Sequence, residues 1–145
     1  MPERETIERA QEDAREGKSP STQAGEFVRE EMHHIREGKH GAASTKQAIA
    51  IGLSKARRSG VKLPAKGSAS TRKKAQQDTQ ALRSRRKPSA TRSRATTKAL
   101  KREPRSAASR SALSRQAKTT AKKRSTSARS QSAKKAANTR SRKAA

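Results

Sequence analysis

Three histidines, a pair of adjacent glutamates and a long run of lysines and arginines are the residues whose types could do chemistry in this chain. His33, His34 and His40 are the metal-ligand candidates, since imidazole nitrogen is a common ligand of zinc-class ions. On a helix His33 and His34 point about 100° apart and do not share an ion. Glu30 and His34 lie one turn apart, but so does any ordinary surface ion pair. The reading is therefore solvated helix-surface histidines, with no metal and no cofactor. Glu30-Glu31 sits in an exposed, charged helix and implies no pocket. Without a cleft or a large core, neither acid–base nor nucleophilic catalysis has support, so we read no enzyme and no small-molecule substrate. Gly38-Lys39-His40-Gly41 lacks the spacing of a phosphate-binding P-loop and reads as a connector between helices.

Charge is the larger signal. The 145 residues hold 38 Lys+Arg and 12 Asp+Glu, a formal net charge of +26. Residues 1–64 are nearly balanced, with 12 basic and 10 acidic side chains, whereas residues 65–145 hold 26 basic and 2 acidic ones, Asp78 and Glu103. An excess this large points to a polyanionic partner, most directly double-stranded DNA. Duplex DNA carries about one charge per 1.7 Å, so the charge of the second half matches roughly 40 Å of duplex. The candidate phosphate contacts begin with Lys46, Lys55, Arg57, Arg58 and Lys62. They continue through Arg72-Lys73-Lys74, Arg83, Arg85-Arg86-Lys87, Arg92, Arg94, Lys122-Lys123-Arg124, Lys134-Lys135, Arg140 and Arg142. The second half has no aromatic residue on which unpaired bases could stack, which favours duplex DNA over single strands. RNA remains the open alternative, since Arg-rich segments bind it too.

The elements that would position these groups fall into two parts. Residues 1–64 read as a small three-helix unit. Pro2 and Gly17 bracket a first helix with Ile7, Ala10 and Ala14 on one stripe. Ser19-Pro20 starts a second, in which Ala24, Phe27, Val28, Met32 and Ile35 recur at helical spacing and Gly38 is the stop. Ser44 and Gln47 have the spacing of a capping box for a third helix, ended by Gly60 and Pro64. Ile49, Leu53 and Ala56 share its inner face; Ile51 points the other way. Ten larger apolar side chains make a small core, so we expect a marginal unit aided by self-association or by its ligand. Residues 65–145 are mostly Ala, Ser, Thr, Lys and Arg, the composition of a largely disordered polycationic tail. Once phosphates neutralise its charge, segments 89–103 and 105–137 are expected to become partly helical. Pro88 and Pro104 would interrupt any helix there.

No run of about 18 apolar residues exists to cross a membrane. The acidic start Met1-Pro2-Glu3-Arg4-Glu5 does not read as a secretory signal, and without cysteine there is no disulfide framework. A cytoplasmic protein is the default expectation.

The segment from Ser21-Thr22-Gln23-Ala24-Gly25-Glu26-Phe27-Val28, through Gly38-Lys39-His40-Gly41, to Ser44-Thr45-Lys46-Gln47-Ala48-Ile49-Ala50-Ile51-Gly52-Leu53 resembles a small bacterial family of uncharacterised function. The resemblance spans residues 21–64. Members often end in low-complexity basic tails, and some carry the label plasmid stabilisation protein. Residues 65–145 resemble, by composition only, the tails of linker histones and bacterial histone-like proteins, with more Arg and less Pro. Taken together, the expectation is a mainly α protein that binds DNA with little sequence preference as a nucleoid-associated, histone-like protein. A protein-interaction or plasmid-maintenance adaptor localised by its basic tail, and an RNA- or ribosome-associated protein, are the alternatives.

Overall fold

Serine and glycine set the helix ends in the first half of the chain. In the computed structural model, which describes residues 1–84 and 89–144, α1 spans Arg4–Arg15, α2 Pro20–Arg36 and α3 Thr45–Arg58. Ser19 Oγ accepts the amide of Thr22, and Ser44 Oγ accepts that of Gln47, so each occupies an N-terminal amide that the helix leaves unpaired. The Gln47 side chain turns back to Ala43 N rather than to Ser44 N, a variant of the expected box. Gly17, Gly38 and Gly60 all have positive φ. Each is followed by a residue whose amide reaches back to a carbonyl five residues earlier: Lys18 to Asp13, Lys39 to His34 and Val61 to Ala56. These are three Schellman stops, and only glycine adopts the left-handed backbone there without strain.

The core is small and rich in alanine. Ala10, Ala24, Phe27 and Ala56 are buried together, with Ile7, Leu53, Val61 and Leu63 packed around them. Ile35, Met32 and Ala48 are also buried, and Ile51 is half-buried. Helices α2 and α3 cross where Gly52 meets the backbone of Val28.

The expectation of a three-helix unit followed by a disordered tail is overturned. The chain is all-helical, with seven α-helices among the described residues. Four lie in the second half: α4 (Ala69–Ser84), α5 (Ala90–Arg102), α6 (Arg110–Lys123) and α7 (Thr126–Ala144), with a short 3₁₀ turn at Arg105–Ala108. The physical reason is local. Ala, Lys and Arg are strong helix formers. The Ser and Thr residues, which would otherwise compete for the backbone, return their hydroxyls to the carbonyl one turn back: Thr96 to Arg92, Thr97 to Ser93, Thr119 to Arg115, Thr139 to Lys135. The segments 89–103 and 105–137, expected to be helical only with phosphates, hold α5, α6 and part of α7. Pro104 separates α5 from the 3₁₀ turn, as its ring dictates; Pro88 lies outside the described residues.

By contacts the chain forms two compact units, Met1–Ser109 and Arg110–Ala145. The composition break near residue 64 marks a change of chemistry, while the packing of the first unit continues to Ser109. Helix α4 docks on α3 through buried Ala75 and through Asp78, which accepts two hydrogen bonds from the Arg58 guanidinium at 3.2 and 3.1 Å. The 3₁₀ turn buries Ala107 and Ala108; its carbonyls accept from Thr45 Oγ1 at 2.7 Å and from Arg36 Nε at 2.9 Å. The second unit consists of α6 and α7, joined through Arg124, which donates to the Ala128 carbonyl and to Ser132 Oγ. No helix among the described residues is long and apolar enough to cross a membrane.

Candidate functional site

Two arrangements carry chemistry: an exposed cationic helix face and a buried ionic cluster. On α5, Arg94, Lys98 and Lys101 recur at four- and three-residue spacing, so they share an arc of about 60°. With Ser93, Thr97 and Arg102 they line a shallow groove along the helix. Helix α5 has no buried residue. Among the described residues no Lys or Arg of α5, α6 or α7 is in an ion pair, and Asp78, one of the two acids of this half, is held by Arg58. Lys98, Lys101 and Arg102 were not among the residues singled out from the sequence, although the 94–98–101 spacing was visible there.

The other candidate contacts divide by environment. Lys46, Lys62, Arg72, Lys73, Lys74, Arg83, Arg92, Lys122, Lys123, Lys134, Lys135, Arg140 and Arg142 are exposed. Arg57 is half-buried, and Arg58 holds Asp78. Arg124 is occupied in the α6–α7 turn. Arg85, Arg86 and Lys87 lie outside the described residues. Lys55 does not present a free charge: its ammonium lies 3.2 Å from Glu30 Oε1 and 2.8 Å from Glu31 Oε2.

That contact opens onto the second arrangement, and it corrects the reading of the glutamate and histidine residues. Glu30 and Glu31 are not on an exposed face; they are 5% and 0% exposed. His33 is exposed as expected, but the side chains of His34 and His40 are only 12% and 16% exposed. His40 Nε2 stands 3.2 Å from Glu31 Oε1, and His34 Nδ1 stands 3.9 Å from Glu30 Oε1. His34 Nε2 is 2.9 Å from Glu3 Oε1, which Lys39 Nζ also meets at 3.2 Å. Hydrogen bonding from His34, then from Lys39, holds the exposed Glu3 carboxyl below its ordinary range. Lys39 is raised by its bonds to Glu37 and Glu3.

The loop that carries His40 is held by backbone contacts. Gly41 N donates to Leu100 O at 2.8 Å and Ala42 N to Pro104 O at 3.1 Å. A β-carbon at Gly41 would collide with the Glu103 carbonyl, so this close approach requires glycine. Nothing short-range in the sequence signals this, because the cluster forms only when α2, α3 and the segment 100–104 meet.

Comparison with protein families agrees with the resemblance in its coarse part, a family of unknown function, and bears on neither the plasmid-stabilisation label nor a histone-like tail. Residues 15–67 match the model of a family described as a family of unknown function (DUF6496). The matched segment contains Glu30, Glu31, His34, His40 and Lys55; helices α4 to α7 lie beyond it. No curated protein and no solved structure matches the chain.

Proposed function

We propose that this chain binds duplex DNA with little sequence preference, by many simultaneous phosphate contacts, and acts in bacteria as a nucleoid-associated, histone-like protein. The observation that carries the reading is the α5 face: three cationic side chains in line over about 10 Å of helix, flanked by hydroxyls and without a carboxylate partner. Cations in such a row neutralise successive phosphates and release their counterions. Arg can also fork two hydrogen bonds onto one phosphate. The exposed cations of α4, α6 and α7 extend the same chemistry. Sequence readout is poor in this reading, because phosphate contacts position a protein without reading bases.

The test is a titration of the full chain against duplex DNA over a range of salt concentrations, repeated with RNA as competitor. The expected plot of log affinity against log salt has a slope of about −8 or steeper, with duplex DNA favoured over RNA. A shallow slope overturns the multi-phosphate reading. Preferential displacement by RNA moves the partner to RNA, and absence of binding to either leaves a protein-interaction or plasmid-maintenance role as the leading reading.

A further inference from the structure

We propose that Glu31, His34 and His40 form a binding site for a divalent transition-metal ion of the zinc class. Each offers one ligand atom, and the three atoms lie within 4.8 Å of one another. Around a tetrahedral zinc ion with bonds of about 2.0–2.1 Å, ligand atoms stand roughly 3.3 Å apart. One edge of that triangle, His40 Nε2 to Glu31 Oε1 at 3.2 Å, already has this length. Two imidazoles and one carboxylate with an open fourth position is a donor set that zinc accepts.

The protonation pattern supports the assignment. His40 Nδ1 lies 3.0 Å from the Gly41 carbonyl, which can only accept, so Nδ1 carries the hydrogen. That contact fixes the ring so that Nε2 points at Oε1 of Glu31, 3.2 Å away. His34 is oriented through Nε2, which lies 2.9 Å from the Glu3 carboxylate, while its Nδ1 stands 3.9 Å from Glu30 Oε1. In both rings one nitrogen is held by an oxygen outside the proposed ligand set, which leaves the other nitrogen for coordination. This is how outer-shell partners orient metal-binding histidines.

Glu31 adds an independent observation. It is fully buried, and neither carboxylate oxygen accepts an aligned hydrogen bond, although Lys55 and His40 lie within ion-pair distance. A buried carboxylate without an aligned donor is costly, and a cation held at Oε1 would offset that cost. Lys55 cannot fill that position, because it sits on the other oxygen, Oε2, and also serves Glu30. With a metal ion on Oε1, Lys55 keeps both of its own contacts. A cleft lined by Glu3, Glu30, His33, His34 and Lys39 opens the His34 side of the cluster to solvent.

Zn(II) added to the full-length, metal-stripped chain is expected to bind at one equivalent with micromolar or tighter affinity and to raise the melting temperature. Co(II) is expected to give the intense visible bands of a four-coordinate site. His40→Gln and His34→Gln should each weaken binding by more than about 100-fold, and Glu3→Gln, an outer-shell change, by about 10-fold. His33→Gln should leave binding unchanged. Circular dichroism of the metal-free variants checks that they fold. Should they not, imidazole NMR on the unmutated chain decides: Zn(II) must shift His34 and His40 and leave His33 in place. Equal affinity in the unmutated chain and His40→Gln overturns the site. So does a lack of saturable binding, with His40 found instead to hold a proton toward Glu31.

Discussion

Gly52 of α3 lies directly against Val28 of α2: a β-carbon at Gly52 would stand 2.7 Å from Val28 Cα. This crossing sets how closely the two helices approach. It therefore sets whether Lys55, three residues further along α3, reaches Glu30 and Glu31. In an open helix, Gly→Ala gains about 0.5–1 kcal/mol of propensity. At Gly52 the collision is with backbone and costs about 1–3 kcal/mol as overpacking. Gly52→Ala is expected to destabilise the chain by about 1–2 kcal/mol. Gly25→Ala, at a site with nothing within 4 Å, is expected to stabilise it by about 0.5–1 kcal/mol. Urea midpoints of the two variants must move in opposite directions.

The Arg58–Asp78 contact anchors α4 on α3. Asp78 is 1% exposed, so removing Arg58 leaves a buried carboxylate without its two donors. Arg58→Ala is expected to cost about 1–3 kcal/mol. Asp78→Asn, which keeps an acceptor and removes the charge, should cost less. A double-mutant cycle between the two positions measures the coupling; additivity would show that α4 is held by other contacts.

Lys18, just after the stop of α1, sits between Asp13 at 2.6 Å and Glu16 at 2.7 Å. Hydrogen bonding to Asp13, then to Glu16, raises its ammonium well above the ordinary 10.5. Because the folded value lies above the unfolded one, the stabilisation is complete below pH 10.5 and is lost as pH rises toward the folded value. Lys18→Met should therefore differ from the parent chain in urea midpoint at pH 8, with the gap narrowing above pH 11. A gap constant over that window would assign Lys18 a packing role instead.

Replacing Arg94, Lys98 and Lys101 together with alanine leaves helix propensity intact and removes the cationic row of α5. If each contacts one phosphate, the salt-dependence slope for duplex DNA should become less negative by about 2.7. Circular dichroism should be unchanged. Replacing Lys55 with Met should leave that slope unaltered, since its ammonium is held by Glu30 and Glu31.

The sequence by itself determined the helix ends of the first half. Ser19, Ser44, Gly17, Gly38 and Gly60 act within a few residues of themselves, through caps and left-handed turns, and the structure places each as read. It also determined the cationic excess of the second half. The second half is helical, where its composition suggested disorder. Net charge and hydropathy describe whether a segment can bury a core. They do not describe whether its backbone bonds close locally, and in α4 to α7 they do.

Tertiary structure alone decided the burial of Glu30 and Glu31, the capture of Lys55, and the meeting of His40 with Glu31. Those contacts join residues on α2, α3 and a loop pinned to Leu100–Pro104. A local pattern of charged residues on a helix reads as a solvated face. Only the approach of two helices at a glycine, and the exclusion of water that follows, turns the same residues into a buried ionic cluster.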